Sequence, residues 1–179
     1  LFIKATESEP TSAPAWGNLA NGYSQLKKLA EAATACRKSL ELNPNLVNSH
    51  FLLSSILIGQ KKIQEAEGTL RKTIELKPDL FQAHLNLGSV LNDQGKLHEA
   101  EVSTRKAIEL NPDFADAHNN LGGILSDLGK LKEAEFSNRK AIEIRPDFAE
   151  AHLNLGSILI DLGKLKEAEL STRKAIKIQ

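Results

Sequence analysis

The chain has 179 residues with 23 basic and 23 acidic side chains, so it is electrically neutral and offers no bulk field to nucleic acid or an anionic membrane. Its single cysteine, Cys36, excludes an internal disulfide and any multi-cysteine metal site. No apolar run reaches transmembrane length and no signal-peptide pattern opens the chain, and the lack of methionine, residue 1 included, leads us to expect an excised segment of a longer protein.

The elements repeat. Five of the six prolines stand at 10, 44, 78, 112 and 146, an unbroken interval of 34. Units starting three residues after each proline cover 13–46, 47–80, 81–114, 115–148 and 149–179, the last lacking only its final turn. Residues 1–12 read as the tail of an earlier unit, because "LFIKATESEP" aligns with "TRKAIELNP".

Each unit predicts two helices. In the fourth, Ala117, His118, Leu121, Gly122, Leu125 and Leu128 keep a helical spacing. "LGK" at 128–130 breaks it, with Gly129 suited to a left-handed turn. A second helix begins near Leu131, carries Ala134, Ala141, Ile142 and Ile144, and stops at Arg145-Pro146, where proline withholds the next backbone donor. Small residues recur where helices cross. Ala32, Ala66, Ala100, Ala134 and Ala168 share one place in the second helix, and Ala20, Ser54, Gly88, Gly122 and Gly156 share the facing place in the first.

This pattern resembles the tetratricopeptide repeat family over nearly the whole chain. The first unit has the family's tryptophan at Trp16, then Leu19, Ala20, Tyr23, Ala32 and Pro44. Later units put His50, His84, His118 and His152 in place of the tryptophan and leucine in place of the tyrosine. The family's second aromatic gives way to Cys36, Leu70, Thr104, Asn138 and Thr172. The resemblance implies an all-α, right-handed α-solenoid of helix-turn-helix units, with first helices lining a concave surface and second helices outside.

Four histidines in phase invite a metal reading, which spacing rejects. Ligating nitrogens sit about 2 Å from an ion, whereas neighbouring first helices lie roughly 10 Å apart. The histidines share the place of Trp16, so we expect packing, with the ring edge bonded locally or reaching solvent. His98 falls at another phase and is expected to be exposed.

Asn18, Asn86, Asn120 and Asn154 are also in phase, with Leu52 interrupting the row. Each lies two residues past the histidine or tryptophan, about 200° around the helix, and so faces the concave groove. A carboxamide both donates and accepts and can pair with an extended peptide backbone, or else bond between neighbouring helices. The row is similar to the asparagine ladder of O-linked N-acetylglucosamine transferase, which implies peptide binding. Asp93, Asp127 and Asp161 form a second stripe. The groove sets of the last three units (Gln82, Leu85, Asn86, Ser89, Asn92 and Asp93; Asp116, Asn119, Asn120, Gly123, Ser126 and Asp127; Glu150, Leu153, Asn154, Ser157, Ile160 and Asp161) hold no Lys or Arg. A clamp for a C-terminal carboxylate or a path for RNA phosphates would need cations there. The expected ligand is an extended, neutral to basic segment.

On the other face, Arg37, Arg71, Arg105, Arg139 and Arg173 follow glutamates by four residues from the second unit on, which predicts a solvated face of ion pairs. Val102, Phe136 and Leu170 share a phase there, as an apolar stripe if exposed or as contacts to a neighbouring repeat if buried. No phosphate loop, metal-ligand cluster or nucleophile–base pair emerges, and Cys36 sits at an inward phase. We therefore expect no enzyme, no metal and no cofactor. The reading is a scaffold for protein or peptide partners, without nucleic acid or membrane. Two alternatives stand: a recognition region of a larger enzyme such as a glycosyltransferase or sulfotransferase, and a structural array self-associating through open ends.

Overall fold

A computed structural model describes residues 9–178; residues 1–8 of the expected leading tail lie outside the described residues. The described residues form ten helices and no strand: α1 (Ala13–Gln25), α2 (Leu29–Leu42), α3 (Val47–Gly59), α4 (Ile63–Leu76), α5 (Phe81–Asp93), α6 (Leu97–Leu110), α7 (Ala115–Asp127), α8 (Leu131–Ile144), α9 (Ala149–Asp161) and α10 (Leu165–Ile178). The chain divides into two compact units, Leu1–Asn86 and Leu87–Gln179, with the division inside α5. Within each unit, helical hairpins stack on their neighbours in the manner of an all-α solenoid.

The turns explain why the hairpins close. Gly95, Gly129 and Gly163 adopt φ of 72°, 73° and 73°, the left-handed conformation that lets the next amide return to the helix end. The Lys96, Lys130 and Lys164 amides accordingly donate to the carbonyls of Leu91, Leu125 and Leu159 at 2.9, 2.8 and 2.8 Å. The first two turns make the same bond, Lys28 to Tyr23 and Lys62 to Leu57 at 2.9 Å each, but put Lys27 and Lys61 at φ of 58°. A lysine there carries a Cβ where glycine has none, at a cost of about 1 kcal/mol.

In the first unit Leu19, Leu53, Ile56, Leu57 and Leu70 are buried with Ala20, Ala32, Cys36 and Ala66. Ser39 of α2 joins two hairpins, its hydroxyl bonding the Ala13 carbonyl at 2.7 Å and the Ser49 hydroxyl at 2.8 Å. In the second, Leu121, Leu125, Ala134 and Ile158 form one cluster and Leu155, Leu159 and Ala168 another, with Ile142 of α8 packed against the latter. The positions that lack the family's second aromatic fill the space against the small first-helix residues. A Cβ on Gly88 would overlap Thr104, one on Gly122 would overlap Asn138, and one on Gly156 would meet Thr172.

The tryptophan and the histidines make one shared bond. Trp16 Nε1 donates to the Pro10 carbonyl at 3.0 Å, and the Nε2 of His50, His84, His118 and His152 bonds the carbonyls of Pro44, Pro78, Pro112 and Pro146 at 2.8, 2.8, 2.8 and 3.1 Å. Imidazole thus ties α3, α5, α7 and α9 to the proline that follows the preceding second helix, and indole makes the same bond from α1 to Pro10. His98 is exposed.

The second helices carry the expected pairs one turn apart, including Arg71–Glu67 at 2.9 Å, Arg105–Glu101 at 2.9 Å and Arg139–Glu135 at 2.8 Å. The spacing did not predict that these arginines also reach the next repeat: Arg37–Glu65 at 2.9 Å, Arg105–Glu133 at 2.8 Å and Arg139–Glu167 at 2.7 Å. Nor is the face solvated throughout. Glu101 is only 9% exposed and also accepts Lys130 at 2.7 Å, as Glu135 accepts Lys164 at 2.8 Å.

These bonds hold both carboxyls below the ordinary glutamate range: Glu101 through Lys130 first and then Arg105, Glu135 through Lys164 and then Arg139. A carboxyl whose folded pKa is depressed stabilises the fold above its unfolded pKa, and that contribution fades as pH falls through the folded value. We expect stability to decline from about pH 5 downwards. The Glu101→Gln/Glu135→Gln variant should have lower stability at pH 7 and a shallower decline in acid, measured by urea unfolding at stepped pH. An equal decline in both proteins would remove these carboxyls from the explanation.

Candidate functional site

The first helices of the first unit enclose an open groove. Asn18 and Asn21 of α1 face Asn48, Phe51, Leu52 and Ser55 of α3 across a cavity of about 440 Å³. Asn18, Asn21, Asn48 and Ser55 are exposed, and Phe51 and Leu52 are half-buried on its wall. No charged side chain lines it. Carboxamides at the rim with an apolar wall can bond a peptide backbone while sheltering an aliphatic side chain. Leu52, which breaks the asparagine row in the sequence, supplies part of that wall.

The second unit differs. Its cavity is about 250 Å³, lined by Ser89, Asn92 and Asp93 as well as Asn119, Asn120, Glu150 and Asn154. Here the asparagines bond to one another. Asn120 Nδ2 donates to Ser89 Oγ at 2.9 Å, Asn154 Nδ2 donates to Asn119 Oδ1 at 2.9 Å, and Asn119 Nδ2 donates to Glu150 Oε1 at 3.0 Å. Asn119, placed by the sequence among open groove residues, is 2% exposed and acts as the junction between α7 and α9. The remaining acceptors dominate: Asn92 Oδ1 is buried without a donor, and Glu150 has no cationic partner among the described residues. Such a recess suits an N–H donor or a cation.

The seven expected contact residues are thus not equivalent. Asn18 is open in the first unit and Asn86 is half-buried on α5. Asn120 and Asn154 each commit one amide hydrogen internally, leaving the carboxamide oxygen and the second hydrogen. Asp93, Asp127 and Asp161 are exposed at the ends of α5, α7 and α9. Asp116, in the expected groove set of the fourth unit, is paired with Arg145 at 2.8 Å, and that guanidinium lies 3.6 Å from the centroid of the Phe148 ring. Asn21 and Asn48 stand outside the in-phase row and so escape its periodicity, although Asn21 lies one turn beyond Asn18, a signal the sequence carries.

Cys36 is fully buried, and burial pushes its thiol up to about 12 against the opposing charge of Arg37. It belongs to the core.

Models of the tetratricopeptide repeat match residues 13–46 and 115–148, 47–80, and 138–169, and a TPR repeat model matches 88–129. No curated protein matches the chain. Among solved structures, YrrB, described as a TPR protein with an unusual peptide-binding site, is 26% identical with a TM-score of 0.84, over 100% of this chain and 92% of its own. MamA is 25% identical with a TM-score of 0.83, over 89% of this chain and 93% of its own. PilF of Pseudomonas aeruginosa shares the fold at 20% identity, with a TM-score of 0.83 over 94% of this chain and 77% of its own.

Proposed function

The chain belongs to the tetratricopeptide repeat family, and on that footing we propose that this protein-interaction scaffold holds an extended peptide segment along its first helices. The observation that carries the reading is the uncharged groove of the first unit, where Asn18, Asn21 and Asn48 stand exposed beside Phe51 and Leu52. Peptide N–H and C=O groups pair with the carboxamides, and an aliphatic side chain rests on the Phe51–Leu52 wall. In the second unit, Asn120 and Asn154 each keep an oxygen and one amide hydrogen to offer, and Asp93, Asp127, Asp161 and Glu150 add negative charge, which favours basic residues in a segment held there. Asn86 is the remaining member of the row. The likeness to YrrB supports a peptide as the ligand class.

The test uses labelled extended peptides of equal apolar content and neutral, basic or acidic polar residues, read by fluorescence anisotropy. Asn18→Ala/Asn48→Ala should weaken the neutral and basic peptides about tenfold, since two bonds worth roughly 0.5–1.5 kcal/mol each are lost. Acidic peptides should not respond to these substitutions. If they alone lost affinity, or if no peptide responded, the groove reading would be abandoned.

A further inference from the structure

A salt bridge repeated along the second helices fails in the last one. Lys38–Glu41, Lys72–Glu75, Lys106–Glu109 and Lys140–Glu143 pair one turn apart at 3.0, 2.7, 2.7 and 2.9 Å. α10 has Lys174 and Lys177 at those two places, and neither lysine pairs with a carboxylate among the described residues. A cation in the last turn complements the helix dipole, which explains why Lys177 is tolerated but not why Lys174 forgoes its partner.

The unpaired lysines adjoin an apolar surface. Leu170, one turn before Lys174, is 69% exposed and continues the stripe of Val102 and Phe136, each 71% exposed. Leu170 and Lys174 form one side of a recess of about 430 Å³ whose apolar lining includes Ile142, Leu155 and Leu159. A second hollow, of about 420 Å³, runs from Leu170 past Lys174 to Lys177. At the places of Leu170 and Lys177 this openness belongs to the outer face. Phe136 and the Glu143 side chain, 71% and 69% exposed, occupy the same places in α8, although α9 and α10 follow them. Of the acids lining the recess, Glu143 is paired with Lys140 and Glu167 with Arg139, so the uncompensated charge is positive.

We propose that this face docks an acidic segment of a partner protein. Its carboxylates meet Lys174 and Lys177, and an apolar side chain lies against Leu170 and enters the recess over Ile142, Leu155 and Leu159. Charge complementarity selects an acidic occupant, and the recess selects a side chain that can enter it. An anionic lipid surface fits less well, because it would press its charge equally on the glutamates of this neutral chain. The site goes beyond the groove proposed above, being on the outer face between second helices and opposite in charge preference.

The test is fluorescence anisotropy with a short labelled peptide of Glu, Asp and Leu, and with its Lys and Leu counterpart. The acidic peptide should bind, more weakly as salt rises; its counterpart, which the groove accepts, should not respond to changes at Lys177 or Leu170. Lys177→Glu rebuilds a pair that four other units contain, so it should fold and should weaken the acidic peptide roughly tenfold. Leu170→Ser should weaken it as well, while Asn18→Ala/Asn48→Ala should not. Unchanged affinity of the acidic peptide in Lys177→Glu, an equal loss of both peptides in that variant, or binding to phosphatidylserine vesicles without binding to the acidic peptide would each overturn the proposal. Loss through the asparagine variant would move the acidic ligand to the groove and overturn it too.

Discussion

Alanine at Gly122 lowers stability by about 2 kcal/mol, whereas alanine at Gly123, one residue on, raises it by about 0.7 kcal/mol. Both glycines lie inside α7, where alanine has the better helix propensity. They differ in what a methyl group meets. At Gly122 it overlaps the carboxamide of Asn138, a side chain that is 0% exposed and whose Nδ2 is bonded to the Ala134 carbonyl at 3.1 Å. Asn138 is fully buried, and its Oδ1 already lacks a partner. At Gly123 nothing lies within 4 Å of the added carbon. Urea unfolding followed by circular dichroism reads both changes. Asn138→Ala placed in the Gly122→Ala protein should recover more than half of the loss. Equal effects at the two glycines would show that propensity, not contact, governs the position.

His118→Ala costs about 2–3 kcal/mol, and His118→Trp less than about 1 kcal/mol. The alanine variant empties a site that is 9% exposed and strips the Pro112 carbonyl of its donor. Indole keeps a ring N–H, and Trp16 already delivers one to the Pro10 carbonyl at 3.0 Å from the equivalent place. A tryptophan variant as unstable as the alanine variant would mean that ring shape matters more here than the shared bond. A zinc titration that stabilised the wild type but not His118→Ala would reopen the ligand reading.

Much of the fold was legible because it rests on intervals. Proline, glycine and alanine each perform one backbone or spacing task, and recurrence at 34 residues marks that task independently of its neighbours. The histidines were also readable, since a residue replacing tryptophan inherits its surroundings. Side-chain partners across repeats were not. Whether Asn120 faces a ligand or Ser89 depends on two first helices meeting at hydrogen-bonding distance, and the interval does not encode that distance. Asn119 illustrates the problem: leucine stands at this place in the third and fifth units, so its bonds to Asn154 and Glu150 have no counterpart to reveal them. The outer stripe of Val102, Phe136 and Leu170 was equally undecidable, because exposure and burial at that phase give the same periodicity.

The bond from Trp16 to Pro10 also gives the protein an optical address. Trp16 and Tyr23 are the only tryptophan and tyrosine in the chain, and both belong to α1. Indole emission therefore reports on the first hairpin alone, while peptide-bond dichroism averages over all ten described helices. Coincidence of the two signals during denaturation would mark a chain that melts as one cooperative body, and their separation would date the release of its first hairpin against the rest.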